Sequence, residues 1–266
     1  MDPATLLGLL IAFGSLVAMI TLEGASVTSI LIPAPMILVF GATIAVAIAS
    51  GSLGDALLAA KALPRAFRGK VLPAGRLIDD VVAIAERARR EGLLALEQEA
   101  ATVDDPMLRS ALQSIADGVD PDDLREQLEE TIAARERSER IAAKFYTTMG
   151  GYAPTIGIIG TVVSLTHVLE NLSTPDELGH MIAAAFVATL WGVLSSNLIW
   201  LPIGARLGRL TDQAVERQHL LLEGVLAVQQ GAQPRALRDK LSAMVTEQPK
   251  EKPAKAKAEP VLEDAA

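Results

Sequence analysis

The chain of 266 residues is 50% hydrophobic, 3% aromatic and 21% charged, with a net charge of −8 and no cysteine. Its mean hydropathy of +0.34 is high for a soluble domain, and the missing cysteines exclude disulfides, thiolate nucleophiles, iron–sulfur clusters and cysteine zinc sites. The acidic balance gives no basis for nucleic-acid binding, and the three histidines, His167, His180 and His219, are too scattered for a metal pair.

Four stretches lack any Asp, Glu, Lys or Arg: Ala4–Leu22, Gly24–Gly54, Tyr146–Leu169 and Leu178–Ala205. Each reaches the roughly 18–20 apolar residues that cross a hydrocarbon core. The expected fold is therefore an all-α membrane protein with four transmembrane helices. The first stretch has no basic region before it and no small-residue cleavage site after it, so it reads as a retained span rather than a secretory signal. Residues 1–54 then hold spans 1 and 2.

Residues 55–145 carry 18 acidic and 14 basic side chains and predict a helical domain. Ile78, Val81, Val82, Ala85 and Ala88 recur at helical spacing, and Leu93, Leu94 and Leu96 continue the apolar pattern after Gly92. Asp104-Asp105-Pro106 predicts a stop and a fresh N-cap, followed by a stripe of Leu108, Leu112 and Ile115. Asp120-Pro121 opens a helix through Leu124, Leu128 and Ile132 that leads into the third span. Residues 146–205 hold spans 3 and 4. A helix continues from Arg206 to Gln230, Gly231 and Pro234 interrupt it, and Arg235–Val245 forms one more. The Pro/Lys/Ala/Glu text of 246–266 predicts a disordered tail, either solubilising or drawn by its lysines to anionic lipid.

All 24 basic residues fall between Lys61 and Lys144 or between Arg206 and Lys257. The positive-inside rule puts both segments, and with four spans both termini, in the cytoplasm.

No span holds a carboxylate, Lys or Arg, the groups with which a proton or ion is usually relayed. Either the chain moves no ions or a partner brings the carboxylate. Pairs of small residues four apart (Ala47/Gly51, Ala153/Gly157, Gly160/Ser164, Gly204/Gly208) suit close helix approach, within the chain or between copies. Pro154 and Pro202 lie at similar depth near the cytoplasmic boundary. Each is either a plain kink or a bendable, hydratable point, because proline removes a donor and frees a carbonyl one turn earlier. Thr161 and Thr189 are the polar groups nearest mid-membrane; their hydroxyls either bond their own helices or line a wet path. The charges of Arg89–Glu97 form either a solvated face or a partner's docking pattern. No set of nucleophile, base and metal ligands exists, so no enzyme is expected.

Ala34-Pro-Met-Ile-Leu-Val-Phe-Gly-Ala-Thr43, Arg89-Arg-Glu-Gly-Leu-Leu-Ala-Leu-Glu97, Tyr152-Ala-Pro-Thr-Ile-Gly-Ile-Ile-Gly-Thr161 and Leu222-Glu-Gly-Val-Leu-Ala-Val-Gln-Gln-Gly231 stand in this order. With the arrangement of spans and helical segment, they resemble the MotA/PomA family of flagellar motor stator subunits over roughly residues 1–245. The resemblance implies a ring of five copies in the inner membrane around a single-span, peptidoglycan-anchored subunit of MotB/PomB type, which carries the ion-binding Asp. It implies no cofactor and no metal. Ion flow, of protons or sodium, would turn the ring against a FliG-like rotor protein. By position, Arg89 or the adjacent Arg90, with Glu97, match the rotor-facing charges; Pro154 and Pro202 match the functional prolines; Thr161 and Thr189 match the channel hydroxyls. The nearest rival is the TolQ/ExbB class of envelope-energising subunits, which usually have three spans with the large loop after the first. A passive membrane scaffold is the other alternative.

Overall fold

A computed structural model describes residues 3–70, 73–173 and 175–245; the tail expected at 246–266 lies outside them. Among the described residues every element is helical: α1 (Pro3–Leu22), α2 (Pro33–Ala49), α3 (Leu53–Arg68), α4 (Ala74–Glu91), α5 (Leu96–Thr102), α6 (Pro106–Ala116), α7 (Pro121–Glu170), α8 (Pro175–Ser195), α9 (Leu201–Gln229) and α10 (Pro234–Met244). A π-helical turn, Ser196–Trp200, joins α8 to α9 without a break.

Two continuous runs, Pro121–Glu170 and Leu178–Gln229, are long and apolar enough to cross a membrane. The first two apolar stretches give shorter helices, Leu7–Leu22 and Pro33–Ala49. Gly24–Gly54, read above as one span, is divided by its own punctuation. Gly24 turns the chain at φ 73°, Ser26 caps a 3₁₀ turn at Val27–Ile30, and Pro33 fixes the first turn of α2. Ser52 and Asp55 then form a reciprocal capping box that starts α3. The 17 residues of α2 rise only about 25 Å.

The organising element is α7, 50 residues and about 75 Å of unbroken helix. Asp120 starts it by accepting from the Asp122 N–H at 2.9 Å. Its first third is amphipathic and its last third apolar, so one helix serves two cores. The charged half buries Leu124, Leu128 and Ile132 of α7 among α4, α5, α6, the end of α9 and α10. The expected stripes of α4 and α6 are buried there, and Asp105 caps α6 as its position before Pro106 predicts, accepting from Met107 and Leu108 N–H. Leu93 and Leu94 depart from expectation, being 38% and 75% exposed while Leu96 is fully buried. Gly92 adopts φ 87° and diverts the chain into a 3₁₀ turn, which swings both leucines off the core face.

A second cluster joins the halves: Ala59 and Ala66 of α3, Ala143 and Tyr146 of α7, and Ile203 and Leu207 of α9. Tyr146 donates to the Ala59 carbonyl at 3.0 Å, and Arg65 pairs with Glu139 at 2.8 Å. Beyond it α7 and α8 run antiparallel in backbone contact. A Cβ on Gly157 would lie 2.8 Å from the Ala188 carbonyl and 3.1 Å from Gly192 Cα; one on Gly192 would lie 2.8 Å from the Ala153 carbonyl. Gly204 is pressed as closely on Thr147 and the Ala143 carbonyl. Ala153/Gly157, Gly160 and Gly204 are thus spent inside the chain, whereas Gly208 faces open space. Gly51 meets only the Asp55 carboxylate within 4 Å.

Gly192→Val forces this seam apart and is expected to destabilise the detergent-purified chain by at least about 1–3 kcal/mol. Gly208→Ala, which meets nothing, leaves thermal unfolding unchanged or slightly raised. Equal effects of the two would contradict the seam.

Three carboxylates clamp the charged half. Burial pushes Asp105 up, but its 2.7 Å bond to Arg217, that cation's field and two backbone N–H groups outweigh it and hold the carboxyl below its ordinary value. Glu139 is likewise pushed up by burial and brought lower by Arg65 and Arg135. Glu223 is held down chiefly by Lys240, with Arg125 adding to it against burial. Depressed carboxyls stabilise the fold above their unfolded values, 3.8 for Asp105 and 4.5 for the glutamates, and that stability is lost as pH falls through the lower folded values. The melting temperature should therefore drop steeply below about pH 4. Asp105→Asn, which keeps a capping side chain, should cost about 1–3 kcal/mol at pH 7 and flatten the acid dependence; an unchanged pH profile would contradict the clamp.

Candidate functional site

The glycine seam ends at a pair of hydroxyls. Thr161 on α7 lies 3.1 Å from its own helix's Gly157 carbonyl and 3.1 Å from the Ala185 carbonyl across the seam, and its Oγ1 hydrogen-bonds Thr189 Oγ1 of α8. Both residues are half-buried. Close approach at Gly160, where a Cβ would meet Ala188 Cβ at 2.8 Å, is what brings the two side chains together. The pair therefore does what each residue alone left open: Thr161 bonds its own helix and also reaches the other. Two hydroxyls and two carbonyls concentrate oxygen dipoles here without any formal charge. Such a group can solvate a cation or accept a proton's hydrogen bond, yet it cannot itself carry the proton.

The prolines behave differently from each other. Helix α7 passes through Pro154 without a break, whereas Pro202 follows directly on the π turn, in which the Leu201 N–H reaches back to the Ser196 carbonyl. A π turn places one extra residue in the helix, which relieves the clash proline makes with the carbonyl four residues earlier. Pro154 deprives the Gly150 carbonyl of its helical donor, and Ser196 Oγ donates to that carbonyl instead at 2.6 Å. A Cβ on Gly150 would sit 2.6 Å from the Leu201 side chain. The residue stripped by one proline thus abuts the residue preceding the other, so the structure brings Pro154 and Pro202 to one level. Pro202 also lines a cleft of about 470 Å³ between α1 and α9, with Arg206 and Arg209 among its lining residues.

Arg89, Arg90 and Glu97 stand apart from this group. All three are exposed at the corner where α4 meets α5, which Gly92 turns in a left-handed conformation. Arg90 bonds only the Glu86 carbonyl, at 3.4 Å, and Arg89 and Glu97 have no hydrogen-bond or ion-pair partner among the described residues. The neighbouring Arg87 is tied to Glu99. The corner rests on the core that holds Ile132, and Thr161 lies about 40 Å further along α7.

Ser196 and Tyr146 were not legible as partners in the sequence. The one available signal was Pro154 itself, which announces an orphan carbonyl without saying what fills it. His167 and His180 line a second cleft, of about 430 Å³, between α2, α7 and α8. No group of three or more metal-ligating side chains occurs among the described residues.

Residues 99–220 match the model of the MotA/TolQ/ExbB proton channel family. The chain is 35% identical to Motility protein A of Bacillus subtilis over 91% of its own length and 90% of that protein's. It is 32% identical to the chemotaxis protein PomA of Vibrio alginolyticus, over 93% and 96%. Among solved structures it resembles the MotAB of C. jejuni, with a TM-score of 0.89 at 26% identity over 94% of this chain and 98% of that one. The flagellar MotAB stator complex of Bacillus subtilis gives 0.84 at 33% identity, over 91% and 96%. At this identity over nine-tenths of both chains, this chain belongs to the MotA/PomA family of flagellar motor stator subunits.

Proposed function

We propose that this chain is the ion-conducting subunit of a stator, working with a single-span, peptidoglycan-anchored subunit of MotB/PomB type that carries the ion-binding Asp. The carrying observation is a site with oxygen dipoles and two linked prolines but no carboxylate of its own. Residues Tyr146–Leu169 and Leu178–Ala205 contain no Asp, Glu, Lys or Arg, which supports a carboxylate brought from outside the chain. The titles of the C. jejuni and Bacillus subtilis structures describe MotAB assemblies, which supports such a partner here.

In this reading α1, α2 and the apolar ends of α7, α8 and α9 make four spans of the inner membrane, with both termini and residues 55–145 in the cytoplasm. Five copies ring the partner's spans. A proton, or a sodium ion, neutralises the partner's Asp beside Thr161 and Thr189. Loss of that charge in a low-dielectric site lets the Pro154/Pro202 level repack, and the ring advances one step. Each ion supplies about 2.3 kcal/mol per 100 mV, which bounds the bias on a step. Because α7 is one helix, motion at Pro154 is carried to the corner of Arg89, Arg90 and Glu97, which presses on charges of a FliG-like rotor protein.

Deleting the chain should leave cells with filaments that do not swim, with rescue by the wild-type gene. Normal swimming of a strain with no second stator set would refute the stator reading. Pro154→Ala and Pro202→Leu should abolish torque while the protein remains in the membrane; unaltered torque in both would remove the prolines from the mechanism. Arg89→Glu or Glu97→Lys should weaken swimming, since exposed pairs contribute about 0.2–1 kcal/mol each. Reversing the opposing rotor charge should restore part of it. Full swimming with both reversals would remove the corner from the rotor contact.

A further inference from the structure

We infer that Ser196 is a positioning residue that locks the two proline sites into one unit, and that its hydroxyl sets how much torque each ion delivers. The inference rests on the stator reading above and adds a residue to it.

Four observations converge on Ser196. It is 2% exposed, and its Oγ donates to the Gly150 carbonyl at 2.6 Å, the carbonyl that Pro154 deprives of a helical donor. Its own carbonyl accepts the Leu201 N–H, the bond that defines the π turn. Gly150 leaves no room for a side chain, because Leu201 occupies the position of its Cβ at 2.6 Å. Neighbouring hydroxyl and amide side chains do nothing comparable: Ser195 bonds Gly192 and Asn197 bonds Val193, both within their own helix.

The π turn explains how Ser196 is aimed. Reverting it to α-helix removes one residue of phase and rotates everything on one side by about 100° relative to the other. Ser196 could then face Gly150 only if the contacts of α9 with α7 were given up. The turn that accommodates Pro202 is thus the turn that aims the donor satisfying Pro154. A bend at Pro154 that moves Gly150 away breaks the Ser196 bond, and a shift of the π turn does the same. In both cases a buried carbonyl is left bare, and water or a protonated carboxyl of the partner is the available donor. The two prolines therefore change together or not at all, which is what stepwise coupling of an ion to ring motion needs.

The test measures torque on beads tethered to flagella as stator units engage one at a time in a strain deleted for the native gene. Step height reports torque per unit, and the number of steps reports assembly, so a merely structural defect lowers the number but not the height. Ser196→Ala should lower step height severalfold, up to roughly tenfold, and Ser196→Thr, which keeps the hydroxyl, should restore most of it. Wild-type step height with Ser196→Ala, whatever the number of steps, overturns the inference, as does a Ser196→Thr height no better than that of Ser196→Ala. If Ser196→Ala engages no units, Ser196→Cys, a weaker donor, decides: a height below that of Ser196→Thr supports the inference and an equal one overturns it. Absence of steps with the wild-type chain is a failure of the stator reading itself.

Discussion

The backbone contact of α7 with α8 at Gly157 and Gly192 is the constraint on which the rest of the apolar half depends. In lipid no hydrophobic force draws two helices together, so packing density and shared hydrogen bonds must do it. Glycine on both sides lets the axes approach until carbonyls and Cα atoms touch. Only at that separation do short side chains reach across, which is why Thr161 meets Thr189 at one end and Ser196 meets Gly150 at the other. Larger residues at the seam would leave all four polar groups stranded within a nonpolar medium.

The charged half is held by a different logic. Its apolar stripes are closed by carboxylate–cation pairs between separate elements, such as Asp105 with Arg217 and Glu223 with Arg125 and Lys240. Asp105 caps α6 and grips α9 at once. Asp, Glu, Lys and Arg are absent from Tyr146–Leu169 and Leu178–Ala205, so these apolar stretches carry no fixed charge.

Much of this was legible because it is written locally. The caps at Asp105 and Asp120, the stripes of α4 and α6, and the continuity of α7 into an apolar helix all follow from spacing and from the chemistry of proline and aspartate. The apolar length of Gly24–Gly54 misled, since absence of charge does not reveal that Gly24, Pro33 and Ser52 cut the stretch into pieces. Leu93 and Leu94 misled for a similar reason: periodicity assumes a continuing helix, and one left-handed glycine cancels it. Among the site residues, Pro154, Pro202, Thr161 and Thr189 stand out as rare polar or helix-breaking types in apolar text. Ser196 does not, because a serine acquires its meaning from a carbonyl 46 positions away. Pairings across such separations are set by the register of two helices, which no single stretch encodes.

The two long helical runs differ mechanically. Pro121–Glu170 keeps the α-helical pitch from end to end, Pro154 included, and so behaves as a stiff strut between the oxygen-lined seam and the exposed charged corner. Leu178–Gln229 has its irregularity near the middle, where a π turn alters the winding for five residues. Under a twisting load the strut transmits and the return helix yields, so elastic compliance is concentrated at Ser196–Trp200. A molecule built this way places its change of winding at a single defined joint and carries motion along one continuous helix to the charged corner.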